Sequence, residues 1–246
     1  MTLATDILAE RLSLPRVALY AEVGSTLDVA HDLAAGGAPA GTLVVADAQT
    51  AGRGRMGRSW RSEPGAGVWI TMIERPADPT AVETLSLRVG LAVAPALDAL
   101  AESPVRLKWP NDLYLGPRKL AGILIEARWR EGRPEWVAIG LGINLRPPTS
   151  ETRAAGLRVG VSRDDVLERV VPAMRAAARM IGPLTGIELA TFAERDLAVG
   201  RACLEPAVGV VQGIDPAGAL LVDVSSRGSK QVVAVRAGSL VFREDQ

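Results

Sequence analysis

The chain has 246 residues, 48% hydrophobic and 23% charged, enough to bury one large core, with or without a small added module. Its 28 Lys+Arg are balanced by 28 Asp+Glu, which argues against a broad basic face for nucleic acid. One cysteine, Cys203, excludes an intramolecular disulfide framework and a Cys-rich metal site, and no apolar run reaches the roughly 18 residues of a membrane span.

Met1 to Leu14 lacks the basic start and apolar core of a signal peptide, so a cytoplasmic protein is expected. Ser25 followed by Asp28 resembles a capping box, with Leu27, Ala30, Leu33 and Ala34 as a short apolar stripe and Gly36-Gly37 as the stop. Thr42 to Ala46 and Val68 to Ile73 read as buried strands. Thr80 and Glu83 form a T-x-x-E box opening a long helix, with Leu85, Val89, Val93, Ala96 and Leu100 on one face and a bend expected at Pro95. Strand-like segments follow at Val105 to Trp109, Leu120 to Glu126 and Trp136 to Leu145. Ser162 starts a helix carrying Val166, Val170 and Met174, with Pro172 as a second kink, and another helical stretch covers Glu188 to Leu197. After Gly200 the texture changes. Short strands at Val208 to Val211, Ala219 to Val224, Gln231 to Val235 and Ser239 to Phe242 alternate with the turns Asp215-Pro216-Ala217-Gly218 and Ser226-Arg227-Gly228. This is the pattern of a small β-barrel, so the expected domains are 1–199 and 200–246.

The densest chemistry lies in Gly52-Arg53-Gly54-Arg55-Met56-Gly57-Arg58-Ser59-Trp60, where three arginines and three glycines fall within seven residues. Glycine lets backbone approach an anion, and arginine brings a planar charged fork that matches phosphate or carboxylate oxygens. Gly52, Gly54 and Gly57 satisfy G-x-G-x-x-G, and Arg58 stands where a Walker A lysine would be. Both motifs need a helix to begin there, whereas Pro64, Gly65, Gly67 and then a strand follow. A phosphate-binding loop and a solvated basic loop both remain open on these residues alone. Downstream, Lys108-Trp109-Pro110-Asn111-Asp112 ends a strand in a forced turn, which is either a corner or a ligand wall with a charge pair. Lys119 opens an apolar strand interrupted by Gly122, and Gly140 and Gly142 interrupt the next one before Asn144. Glycine within a strand suggests close approach by a ligand or by backbone. His31, Cys203, Trp69, Trp129 and Trp136 read as packing residues.

Taken in order and spacing, G-R-G-R-x-G-R-x-W, K-W-P-N-D-L-Y, R-K-L-A-G-I-L-I-E and G-L-G-I-N-L resemble the bacterial biotin protein ligases in a short form without an N-terminal DNA-binding domain. The resemblance runs from near Gly24 to the C-terminus and implies an α+β fold. That fold is a mixed or antiparallel sheet with helices, of the class II synthetase-like, biotin/lipoate ligase type, plus a small SH3-like C-terminal β-barrel. It implies ATP-dependent ligation of biotin, through biotinyl-5′-adenylate, to a lysine of a biotin carboxyl carrier protein. Ser25, Thr26, Gln49, Arg53, Gly54, Arg55, Lys119 and Gly122 would bind biotin. Arg55, Arg58, Trp60, Lys108, Asn111 and Asn144 would bind the nucleotide. Lys119, Arg53 and Asp112 would be catalytic, and Asp112 would also hold Mg²⁺. Two departures matter: Leu27 stands where asparagine is frequent, and Met56 where arginine is frequent. The alternatives are a lipoate-type ligase, although R-R-x-x-G-G-G with a following histidine is missing, and a non-catalytic biotin-binding protein. No DNA or membrane partner is expected, and homodimer formation stays open.

Overall fold

The computed structural model describes residues 2–76, 78–148, 151–225, 229 and 231–245. Helix α1 (Thr2–Arg11) leads into β1 (Arg16–Val23), α2 (Thr26–Ala35), β2 (Thr42–Gln49), β3 (Gly67–Glu74) and the long α3 (Ala81–Asp98). Strands β4 (Arg106–Lys108), β5 (Asp112–Leu115), β6 (Arg118–Arg130) and β7 (Arg133–Asn144) precede α4 (Arg163–Ala178) and α5 (Gly186–Arg195). The chain ends in β8 (Ala202–Glu205), β9 (Gly209–Ile214), β10 (Leu220–Asp223), β11 (Val232–Val235) and β12 (Val241–Phe242).

Among the described residues, the strands form a seven-stranded sheet ordered β1-β2-β3-β7-β6-β5-β4 and a five-stranded sheet ordered β11-β10-β9-β8-β12. β1 runs parallel to β2, and the other pairs of the large sheet are antiparallel, so the sheet is mixed and the fold is α+β as expected. The turn Ser226-Arg227-Gly228 lies outside the described residues.

Each face of the large sheet has its own partner. On one face Leu43, Val45, Ile70, Met72, Ile123, Ile139, Leu141 and Ile143 are buried in one cluster with α3 and α4. The small sheet joins the same cluster through Cys203, Val211, Leu220, Val222 and Phe242. On the other face Val44, Ile73, Trp136 and Ala138 pack against Leu27, Ala30 and Ala34 of α2. Side chains alternate along a strand, so the residues interleaved with the large core, Trp69, Thr71, Gly122, Leu124, Gly140 and Gly142, share the α2 face.

Sequence signals for helix starts held in part. Ser162 and Thr185 each close a reciprocal capping box, with Asp165 and Glu188. Ser25 caps α2 by accepting from the Leu27 N–H, but Asp28 does not return the bond. The Thr80/Glu83 box does not form. Thr80 is already helical, and its N–H and hydroxyl donate to Asp78 instead. Helix α3 runs on through the exposed Pro95. Helix α1 and strands β1, β5 and β8 are elements that the sequence pattern does not mark.

One buried carboxyl sets a pH dependence. Asp196 is 2% exposed and sits at the C-terminus of α5. Its Oδ1 accepts from the Ala198 N–H, and its Oδ2 is buried without a partner among the described residues. Burial outweighs that hydrogen bond and the charge of Arg106, pushing its pKa from 3.8 to about 6. The folded state therefore holds a proton that the unfolded chain has released. Stability from this group is full below about pH 4, falls as pH rises, and by pH 7 is lower by roughly 3 kcal/mol. Asp196→Asn is expected to remove that slope. Urea unfolding at pH 4 and pH 7 should show the variant gaining on the parent by about that amount, and an equal difference at both pH values would refute the account.

Candidate active site

A cavity of about 500 Å³ opens on the α2 face, beyond the N-terminus of that helix. The β-ladder builds its floor: Trp69 opposes Gly142, Gly142 opposes Gly122, and Gly122 opposes Asp112. In the next row Thr71 opposes Gly140, which opposes Leu124. Strand glycines lower the floor so that the Trp60 ring can lie on it. A Cβ at Gly142 would stand 2.6 Å from Trp60 Nε1, and one at Gly122 would stand 3.2 Å from Trp60 Cζ3. Trp60 meets Trp69 edge-on with ring centroids 6.3 Å apart. Both indole N–H groups are buried without an acceptor among the described residues, so a bound acceptor that reached one would satisfy an otherwise costly donor.

Lys119 reaches this floor through an irregularity. Leu113 pairs with Ala121, but Tyr114 pairs with Lys119, so β6 carries an extra residue at Leu120. Such a bulge re-aims the side chains around it. Without it, Lys119 and Gly122 would point to opposite faces. With it, Lys119 Cε and Nζ lie 3.4 Å from where a Gly122 Cβ would be. The ammonium is 2.6 Å from Asp112 Oδ1 and 5.2 Å from the centre of the Trp60 ring. Its backbone is pinned on the other side, where Lys119 N–H donates to Arg153 O and Ala155 N–H donates to Lys119 O.

At the helical end, Gln49 organises the hydroxyls. Its Oε1 accepts from the Thr26 N–H at 2.8 Å and the Thr26 hydroxyl at 3.1 Å, and its Nε2 donates to Ser62 at 2.7 Å. Thr71 donates to Thr26 Oγ1 at 2.9 Å. Ser25 and Thr26 are buried at the N-terminus of α2, where helix N–H groups favour an anion or an acceptor.

The arginine loop forms the lid. Arg53 and Ser59 pair as an isolated β-bridge, and Gly54 N–H donates to Arg58 O. At the tip Met56 takes φ 55° and Gly57 takes φ 72°, the left-handed conformations that a tight turn of glycine-rich backbone supplies. Arg55 donates to Asn111 Oδ1 at 3.3 Å. Burial pushes its guanidinium pKa down, with Asp112 opposing and Arg58 adding to the effect. Arg58 donates to Ser239, so the lid touches the loop between β11 and β12.

Of the residues singled out from sequence, Ser25, Thr26, Gln49, Arg53, Gly54, Arg55, Arg58, Trp60, Asn111, Asp112, Lys119, Gly122 and Asn144 all line this cavity. Lys108 does not. Its ammonium lies over the Phe242 ring at 4.7 Å and the Tyr114 ring at 5.6 Å, bracing β4 against the small sheet. Trp109 is no ligand wall either: it is buried and donates to Gly218 O in the turn between β9 and β10. Asn111 spends its amide on Ile123 O, fixing the turn. Tyr114, Arg61, Glu151 and Arg153 line the cavity without having been expected. Tyr114 was recoverable from its position two residues after Asp112 on one strand. Among the described residues no three His, Cys, Asp or Glu side chains gather as metal ligands. The Asp112 carboxylate is already taken by Lys119. Its residues thus build no preformed metal cage.

A ligand's anionic groups would find guanidinium and ammonium groups on the lid side, hydroxyls and an amide at the helical end, and an apolar glycine floor between them. The biotin/lipoate A/B protein ligase family model matches residues 23–144. The chain is 41% identical over 151 residues to the bifunctional ligase/repressor BirA of Bacillus spizizenii, a match that spans 61% of this chain and 45% of that protein. It is 32% identical over 241 residues to the biotin–[acetyl-CoA-carboxylase] ligase of Mycobacterium tuberculosis, spanning 91% of this chain and 87% of that one. The biotin protein ligase of Aquifex aeolicus, solved in complex with biotin and ATP, superposes with a TM-score of 0.73 at 26% identity over 92% of this chain and 98% of that one. Fold and site thus define a ligase of the biotin/lipoate class. Within it, the chain belongs to the biotin protein ligases.

Proposed function

We propose that this protein joins biotin to ATP and passes the biotinyl group to a lysine of a biotin carboxyl carrier domain. The observation that carries the reading is a cavity in which loop guanidiniums and a strand-borne ammonium together face a glycine-floored sheet. In the first step a biotin carboxylate oxygen attacks the α-phosphorus. The new O–P bond forms as the α–β anhydride breaks, and pyrophosphate leaves. In the second step the carrier amine attacks the acyl carbon, loses a proton, and AMP departs. The first step brings two anions together. Two unit charges about 4 Å apart repel by roughly 1 kcal/mol in water and about 4 near a protein surface. Lys119, Arg55 and Arg58 offset this repulsion and stabilise charge developing at the phosphate. Ser25, Thr26 and Gln49 suit the polar head of biotin, and Gly122, Gly140 and Gly142 suit its apolar ring and chain. Arg53 and Gly54 close the biotin end, Asn111 and Asn144 serve the nucleotide, and Trp60, whose ring lies over Gly122 and Gly142, stands between the two. Asp112 orients Lys119, and Mg²⁺ enters as the MgATP substrate. The same reading makes residues 1–199 the ligase domain and 200–246 an SH3-like domain.

The test is incubation with biotin, MgATP and a carrier domain, followed by mass spectrometry. One added biotinyl group on the carrier is expected. Supplying lipoic acid alongside separates the lipoate alternative, and an unmodified carrier with no pyrophosphate released would overturn the proposal.

A further inference from the structure

Arg53 sits at the neck of the lid. Its backbone bridge to Ser59 brings the two stems together, so whatever fixes Arg53 fixes the whole tip. Its guanidinium reaches sideways to two carboxylates on different elements. Nη2 is 2.9 Å from Asp28 Oδ1 on α2 and 3.0 Å from Glu126 Oε2 on β6. The positive charge is therefore compensated within the protein, which suits anchoring better than charge supply to an incoming anion.

Glu126 is itself held from behind. His31 Nε2 is 2.9 Å from the same Oε2. Trp136 donates its indole N–H to His31 Nδ1 at 2.9 Å. With Nδ1 accepting, the imidazole proton sits on Nε2 and donates to Glu126. Trp136 is buried, and Arg75 covers its ring at 5.9 Å, so this end of the chain of bonds is fixed. Trp136, His31, Glu126 and Arg53 thus form one hydrogen-bonded line from the α2–sheet interface to the lid.

We propose that Glu126, oriented by His31, is the positioning residue that holds the arginine lid over the cavity by gripping Arg53. This rests on the ligase reading for its catalytic consequence but not for the latch itself. In the protein without ligand, trypsin cleavage at Arg55 and Arg58, followed by mass spectrometry, reports how often the lid opens. Glu126→Gln should speed cleavage by up to about fivefold, the upper scale of one solvent-accessible ion pair, and Arg53→Gln, which also loses Asp28, by at least as much. The double variant should be no faster than Arg53→Gln alone, because Glu126 acts on the lid through its contact with Arg53. His31→Phe should move cleavage the same way by a smaller factor. In turnover, Glu126→Gln should raise the biotin KM with little change in kcat, the signature of lost binding rather than lost chemistry. Parental cleavage rates in Glu126→Gln, or effects that multiply in the double variant, would overturn the latch. A parent protein that makes no adenylate would refute the ligase reading while leaving the trypsin result to decide the latch.

Discussion

Lys119→Met is expected to slow biotin-dependent pyrophosphate release by about a hundredfold to a thousandfold, the cost of removing one preorganised group that stabilises transition-state charge. The substitution keeps the length and apolar stem of the side chain. Its loss falls on the ammonium that lies 2.6 Å from Asp112 and faces the Trp60 ring. Two effects act together. The developing charge at the phosphate loses a partner, and the Asp112 carboxylate, no longer compensated, repels the incoming polyphosphate. Adding Asp112→Asn to Lys119→Met should therefore recover part of the nucleotide affinity without recovering the rate. Lys119 is a partly exposed side chain on a backbone pinned by Arg153 and Ala155, so the variant should melt close to the parent. A pyrophosphate rate within threefold of the parent, in a folded variant, would remove Lys119 from the chemistry; threefold is about the resolution of such comparisons, roughly half of one tenfold step.

Lys119 also shows what the sequence could and could not reveal. The lid, the glycine-broken strands and the lysine were all legible because their residue types are unusual for the local pattern. The bulge at Leu120 was not. It is a pairing between β5 and β6, and nothing in an apolar run marks where one strand gains a residue. Strict alternation would have aimed Lys119 into the α3 side of the sheet. Lys108 lies outside the cavity for the opposite reason. Its motif was clear, but whether its ammonium faced the cavity or Phe242 depended on where the small sheet docks. Elements α1, β1 and β5 were missed because they are short or half-exposed, which blurs both periods. Among the residues read as packing, His31 and Trp136 do pack, yet their ring nitrogens carry the line to Glu126. Apolar surroundings hid polar work.

Arg88 makes the same point for stability. Replacing it with leucine is expected to destabilise the fold by about 3 to 5 kcal/mol, the range for breaking a buried ion pair from one side. The residue lies on the core face of α3, and its side chain is 1% exposed. Nε donates to Glu188 Oε1 at 2.8 Å, Nη1 to Gly182 O at 3.0 Å and Nη2 to Pro183 O at 2.9 Å. One planar fork thereby ties α3 to the turn before α5 and to Glu188 in the first turn of α5. Burial alone would push the Glu188 carboxyl up, but Arg88 and the Thr185 N–H and hydroxyl hold it below its ordinary value. Leucine would leave the largely buried carboxylate without its guanidinium and the two turn carbonyls without their donor. Lysine would rescue little, since one ammonium cannot span both carbonyls and the carboxylate in that geometry. Glu188→Gln in the leucine background should recover part of the loss by removing the stranded charge, a coupling that urea unfolding of the two singles and the double would measure. Arg88 does not line the cavity, so molecules that remain folded should turn over at the parental rate. A leucine variant within 1 kcal/mol of the parent, below the least expected for a buried pair, would mean that the α3–α5 junction is carried by its apolar contacts alone.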